Sequence, residues 1–149
     1  MLFASIVMLA ACGADNPPGP VGNEFDVDRS LTSASPCPSF AEESASHTIS
    51  ILEQELFVDG HAASEILIGP EGADRDRGDA PNVMFTTFET WSSFEGNASP
   101  PVSYRLWAGE EKLIGTASTS FPFDTETTST DCTFAWNVTG IRIAQLVTP

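Results

Sequence analysis

Past about residue 46 the chain places Val, Ile, Leu, Phe and Trp at alternate positions in short runs, and separates the runs with Gly, Pro, Asn and Asp. Alternation with a period of two is the signature of strands with one buried face. Asp59-Gly60 predicts a tight hairpin between a strand ending Leu56-Phe57-Val58 and one running from His61 to Ile68. Read as a two-residue turn, Gly109-Glu110 sets Leu106 opposite Leu113, Tyr104 opposite Gly115 and Val102 opposite Ala117, with Ser103, Arg105, Ile114 and Thr116 on the other side. Thr139-Gly140 as a further tight turn sets Val138 against Ile141, Trp136 against Ile143 and Cys132 against Val147, an almost wholly apolar face.

A strand or bent pair over Val83 to Phe94 and strands near Thr116 to Phe121 bring the number to about seven short strands. The expected fold is therefore all-β, an antiparallel β-sandwich of immunoglobulin-like or jelly-roll-like type spanning residues 46–149, with a small β-barrel as the alternative. Ala45, Ile49, Leu52 and Leu56 also fit helical spacing, a competing reading that the strand-rich surroundings outweigh. Residues 12–45, rich in Pro, Gly, Ser and acids, are expected to be a semi-rigid tether. Within them Ser39-Phe40-Ala41-Glu42 has the spacing of a capping box and allows a short helix from Phe40.

The N-terminal pattern is different. Met1 to Ala11 is nearly uninterrupted apolar sequence, too short for the roughly 20 residues a membrane-spanning helix needs and followed by small residues, as in a secretory signal. Leu9-Ala10-Ala11-Cys12 resembles the lipobox of bacterial lipoproteins. That resemblance covers the first dozen residues and implies removal of 1–11, lipidation of Cys12 and a location in the bacterial cell envelope. Gly13 in place of Asp implies the outer membrane in a Gram-negative host. No Lys or Arg precedes the apolar run, a departure from the usual signal. The competing reading is a short buried strand or helix carrying a free cysteine. Cys37 and Cys132 remain as an even pair, and in an exported chain a disulfide between them is the economical expectation.

Composition narrows the partners. With 21 acidic against 6 basic side chains and a net charge of -15, the chain repels phosphates, which argues against nucleic acid as a partner. The hydrophobic share of 41% is that of a folded domain. Candidate chemistry is thin. The two histidines, His47 and His61, have no metal-ligand spacing, and no nucleophile-elbow, Walker or zinc-protease motif is present. Carboxylate pairs such as Glu53 with Glu55 and Asp124 with Glu126 are what chance supplies in so acidic a chain.

Glu71, Asp74, Asp76 and Asp79 around Gly72 and Gly78 resemble part of a calcium loop, with no acid at position 78, two intervening arginines and no closing Glu. A solvated, self-screening charged loop is the simpler expectation, and Arg77-Gly78-Asp79 within it is a chance match to the integrin-binding tripeptide. Phe85, Phe88, Trp91 and Phe94 recur every third residue and must fall on both faces of a strand. Most of that set is expected in the core, while Phe88, Trp91 and Phe94 are candidates for a ligand platform. Trp107 opposite Lys112 suggests an exposed cation–π pair.

The function expected from these features is a membrane-tethered envelope lipoprotein acting as a non-catalytic binding or structural module. Its ligand would be a peptide, a glycan or an envelope protein, and no cofactor is required. A calcium-stabilised adhesion or carbohydrate-binding module and an envelope hydrolase using acidic residues are the alternatives.

Overall fold

The computed structural model describes residues 21–70 and 72–147. The lipobox with Cys12 and Gly13, and Glu71 of the acidic loop, lie outside the described residues. The fold is all-β, interrupted by two single 3-10 turns, Ala41–Ser44 and Arg75–Arg77.

The chain runs through β1 (Val21–Ala34), β2 (His47–Leu52), β3 (Glu55–Val58) and β4 (His61–Ala62), then β5 (Ser64–Ile68) and β6 (Val83–Phe88). After a small hairpin of β7 (Trp91–Ser93) and β8 (Gly96–Ala98) come β9 (Pro101–Ala108), β10 (Lys112–Asp124) and the long β11 (Ser129–Val147). Nine of these strands form one continuous sheet in the order β4-β3-β2-β1-β11-β10-β9-β6-β5, each paired strand antiparallel to its neighbour. The two ends of that order, β4 and β5, are consecutive in the chain and joined through Ala63, whose N–H donates to the Leu56 carbonyl at 2.9 Å. The sheet has therefore curled until its edges approach, nearly closing into a barrel, which is nearer to the alternative expectation than to about seven strands split between two sheets. Near closure leaves few unpaired edge groups to solvent.

The largest departure from expectation is β1. Residues 21–34, expected to belong to a tether, pair with β2 on one side and with β11 on the other. Phe25, Val27 and Arg29 point inward while Asp26, Asp28 and Ser30 point out, so the segment is an alternating strand disguised by its acids and serines.

β11 is the second correction. It runs unbroken through Thr139-Gly140, with Cys132, Phe134, Trp136, Val138 and Gly140 inward, and Ile141 and Ile143 consequently on the outer surface. Gly140 is small for a packing reason: a Cβ there would sit 2.9 Å from the side chains of both Leu113 and Val27.

The Asp59-Gly60 hairpin is present, with His61 opposite Val58 and positive φ at both turn residues. Its second strand ends at Ala62, and β5 then pairs with β6 instead. The β9–β10 hairpin pairs Leu106 with Gly115 and Ala108 with Leu113, two residues from the expected register, because the Gly109 N–H closes on the Lys112 carbonyl at 2.9 Å. A shift of two preserves the faces, and Val102, Tyr104, Leu106, Leu113 and Ala117 are all buried as expected.

The interior is packed. Trp91 and Phe40 cap one end, with Trp91 5.1 Å from Phe134 and 5.4 Å from Phe40, centroid to centroid. Phe121, Phe123 and Trp136 complete this aromatic plug. The sulfurs of Cys37 and Cys132 lie at bonding distance, with Cα atoms 5.8 Å apart and a separation of 95 positions in sequence. This pair ties the segment after β1 to the start of β11.

Candidate functional site

Beside the aromatic plug, five polar side chains far apart in sequence converge. Arg29 comes from β1, His47 opens β2, Asp59 sits in the β3–β4 turn, Glu89 occupies the break between β6 and β7, and Tyr104 lies on β9. Arg29 grips Glu89 with both terminal nitrogens, at 2.7 and 3.1 Å, and donates to the Tyr104 hydroxyl at 3.0 Å and the Glu42 carbonyl at 3.0 Å. Its guanidinium lies 4.7 Å from the Trp136 ring. Glu89 also accepts from Trp91 Nε1 at 2.8 Å and from Tyr104 at 3.4 Å. A buried ion pair with this many donors is one whose desolvation is largely offset.

Next to it stands a second pair. Asp59 accepts His47 Nδ1 at 2.7 Å and the Thr48 N–H at 2.8 Å. Burial alone would raise the pKa of Asp59, but these two hydrogen bonds and the nearby positive charge hold it below its ordinary 3.8. His47 Nε2 faces Glu89 Oε1 across 3.7 Å and has no hydrogen-bond partner. The Thr87 hydroxyl is likewise buried and unpartnered.

These groups line a cleft of about 490 Å³ together with Glu42, Ala45, Val58, His61, Ala62, Phe88 and Thr90. One wall comes from the β3–β4 hairpin and the other from the end of β6, so the cleft lies across the seam where the sheet fails to close completely. Phe88 stands 72% exposed at this cleft.

Of the aromatic platform expected from sequence, only Phe88 belongs to this site. Trp91 is completely buried, and its contribution is the indole N–H that orients Glu89. Phe94 is exposed in the turn between β7 and β8, beside Phe40 and Ser93 and away from the cleft lining.

The acidic loop is satisfied from within: Asp74 accepts the Asp76 N–H at 2.8 Å, and Asp79 accepts the Asp74 N–H and Arg77 Nη2, both at 2.9 Å. Among the described residues no group of three or more His, Cys, Asp or Glu side chains is placed to hold a metal ion. The cation near Trp107 is Arg75, 5.7 Å from its ring, in place of the expected Lys112.

His47, Asp59, Glu89 and Arg29 carry no local motif, and only the tertiary fold brings them together. The available signal was slight: an Arg in an alternating run beside Val27, and a Glu interrupting the aromatic run after Phe88. The chain matches no known protein family, no curated protein and no solved structure.

Proposed function

We propose that this protein is a lipid-anchored envelope module that works by binding a small ligand in the seam cleft, without catalysis. The observation that carries the binding reading is the cleft itself, where two buried polar groups, His47 Nε2 and the Thr87 hydroxyl, wait without partners beside an exposed aromatic ring. The anchor rests on the lipobox resemblance at Leu9 to Cys12. A glycan or a peptide side chain, each with polar groups around an apolar face, has the matching chemistry, with Phe88 as the stacking surface.

A hydrolase reading has one feature in its favour, the His47–Asp59 pair, which has the form of a base and its orienting carboxylate. Two features weigh against it. The free nitrogen of His47 faces a carboxylate, with no hydroxyl or thiol hydrogen-bonded to it. Glu89, the other candidate base, is fully engaged by Arg29, Trp91 and Tyr104.

The anchor is tested by the intact mass and N-terminal peptide of full-length protein from a bacterial membrane fraction. A mature chain starting at lipidated Cys12 is expected, and an unmodified chain retaining Met1 overturns the anchor. Binding is tested by equilibrium titration with envelope oligosaccharides and short peptides. A ligand whose affinity drops at least tenfold in Phe88→Ala supports the cleft, and no saturable binding overturns it.

A further inference from the structure

We infer that the ligand group received by the seam cleft is a primary ammonium carried on an apolar or sugar frame. The inference rests on the binding reading above and names the chemistry of the same site. Three carboxylates line the cleft, on Glu42, Asp59 and Glu89, and no Lys or Arg is among its lining residues. Arg29 reaches Glu89 from the interior, with its side chain wholly removed from solvent. One buried cation thus stands against three acids, inside a molecule whose net charge is already -15. The cleft therefore attracts cations and repels anions.

The histidine makes the demand more specific than charge alone. Asp59 also accepts the Thr48 N–H, so its carboxylate is the acceptor toward His47 as well, and the proton between them sits on Nδ1. In the neutral ring Nε2 is then a lone pair, and it faces Glu89 Oε1, a second acceptor, at 3.7 Å with no donor between them. Nε2 is the unmet acceptor, since Glu89 Oε1 already accepts from Arg29 at 2.7 Å and from Tyr104 at 3.4 Å, and an ammonium offers an N–H to Nε2 together with a charge to the Glu89 carboxylate. A hydroxyl offers the proton without the charge. His47 is 9% exposed, so water does little to relieve the mismatch. The Thr87 hydroxyl is a second unpartnered group in the lining and can accept an N–H, and Phe88 offers an exposed ring face to the cation or to the carbon frame behind it.

A lysine side chain, an alkyl diamine and an amino sugar all carry this group. The probes are Nα-acetyl-lysine methylamide, cadaverine and glucosamine, each compared by calorimetry with a neutral counterpart: Nα-acetyl-norleucine methylamide, 1-pentanol and glucose. At least one amine is expected to bind at least tenfold more tightly than its neutral counterpart, with affinity falling as salt rises. The frame that binds best identifies the source. Asp59→Asn is expected to weaken binding at least tenfold while keeping the hairpin, because Asn tolerates the positive φ of that turn position. Glu42→Gln, which keeps an oxygen for the Ser92 N–H that the Glu42 carboxylate accepts at 2.9 Å, is expected to weaken it as well, and Glu126→Gln, on an exposed loop, to leave it unchanged. Equal binding of amines and neutral counterparts, or binding unaffected by both cleft variants, overturns the ammonium inference while leaving the cleft as a binding site. Silence from charged and neutral probes alike overturns both.

Discussion

Tyr104 is the chain's single tyrosine, so its ionisation can be followed without interference. Burial pushes its phenol above the ordinary tyrosine range of about 10, the neighbouring Glu89 carboxylate adds to the rise, and Arg29 opposes it. Absorbance at 295 nm is expected to stay flat to about pH 11 while the fold persists and to rise only with unfolding. A phenolate appearing near pH 10 with unchanged circular dichroism contradicts the placement of Tyr104 beside Arg29. The ion pair gives a second test. Arg29→Ala leaves Glu89 charged and buried, and should cost about 3–5 kcal/mol in urea unfolding. Combining Arg29→Met with Glu89→Gln should recover much of that loss. Little of this cluster was legible in advance, because sequence reading weighs each histidine or carboxylate against its neighbours in the chain. Arg29 and Tyr104 are 75 positions apart, and Arg29 and Glu89 are 60 apart. Charged residues also read as surface unless a partner is known.

At the scale of elements, the alternating pattern was legible wherever one face is apolar and the other polar, as in β9 and β10. It misled where a residue has two possible meanings. Gly140 after Thr139 reads as a turn, yet it is a strand position where two inward side chains leave no room for a Cβ. Gly140→Ala is expected to destabilise by about 1–3 kcal/mol, measured by denaturant titration, whereas a turn glycine with open surroundings would show little steric penalty. β1 was missed for the opposite reason: its outward acids and serines match a linker's composition, and only the inward Phe25, Val27 and Arg29 reveal the strand. The Asp59-Gly60 turn was legible because its dipeptide meets a backbone demand directly. Asp59 also ties that turn to pH. Its lowered pKa contributes stability that is present above the unfolded value and lost as pH falls through the folded one. The stability gap between the native chain and Asp59→Asn should therefore be widest near neutrality and shrink below about pH 3.8, in urea titrations at several pH values. A gap that widens with acidity contradicts this. The acidic loop is expected to leave the melting temperature unchanged at millimolar calcium, because Arg77 and backbone N–H groups already occupy the carboxylates of Asp74 and Asp79.

For the whole molecule, strand content and the cysteine pair were legible, but closure was not. A sandwich and a curled single sheet share the same alternation, and only the pairing of β1 with β11 and the jump from β4 to β5 distinguish them. The disulfide spans most of the domain, and entropy arguments put its contribution at roughly 4 kcal/mol. Reduction, or Cys37→Ala with Cys132→Ala, should lower the unfolding midpoint accordingly and leave the far-ultraviolet spectrum of strands intact. The imperfect closure is what gives the molecule a cleft, since a sheet fully sealed between β4 and β5 would bury Glu89 and His47 without access. The most direct test is an amide chemical-shift map of the folded domain during titration with the amine that binds best. Saturable shifts concentrated at Glu42, His47, Asp59 and Thr87 to Thr90 are the predicted result. Shifts concentrated around Phe94 or the Asp74 to Asp79 loop, with the cleft signals unmoved, would contradict it.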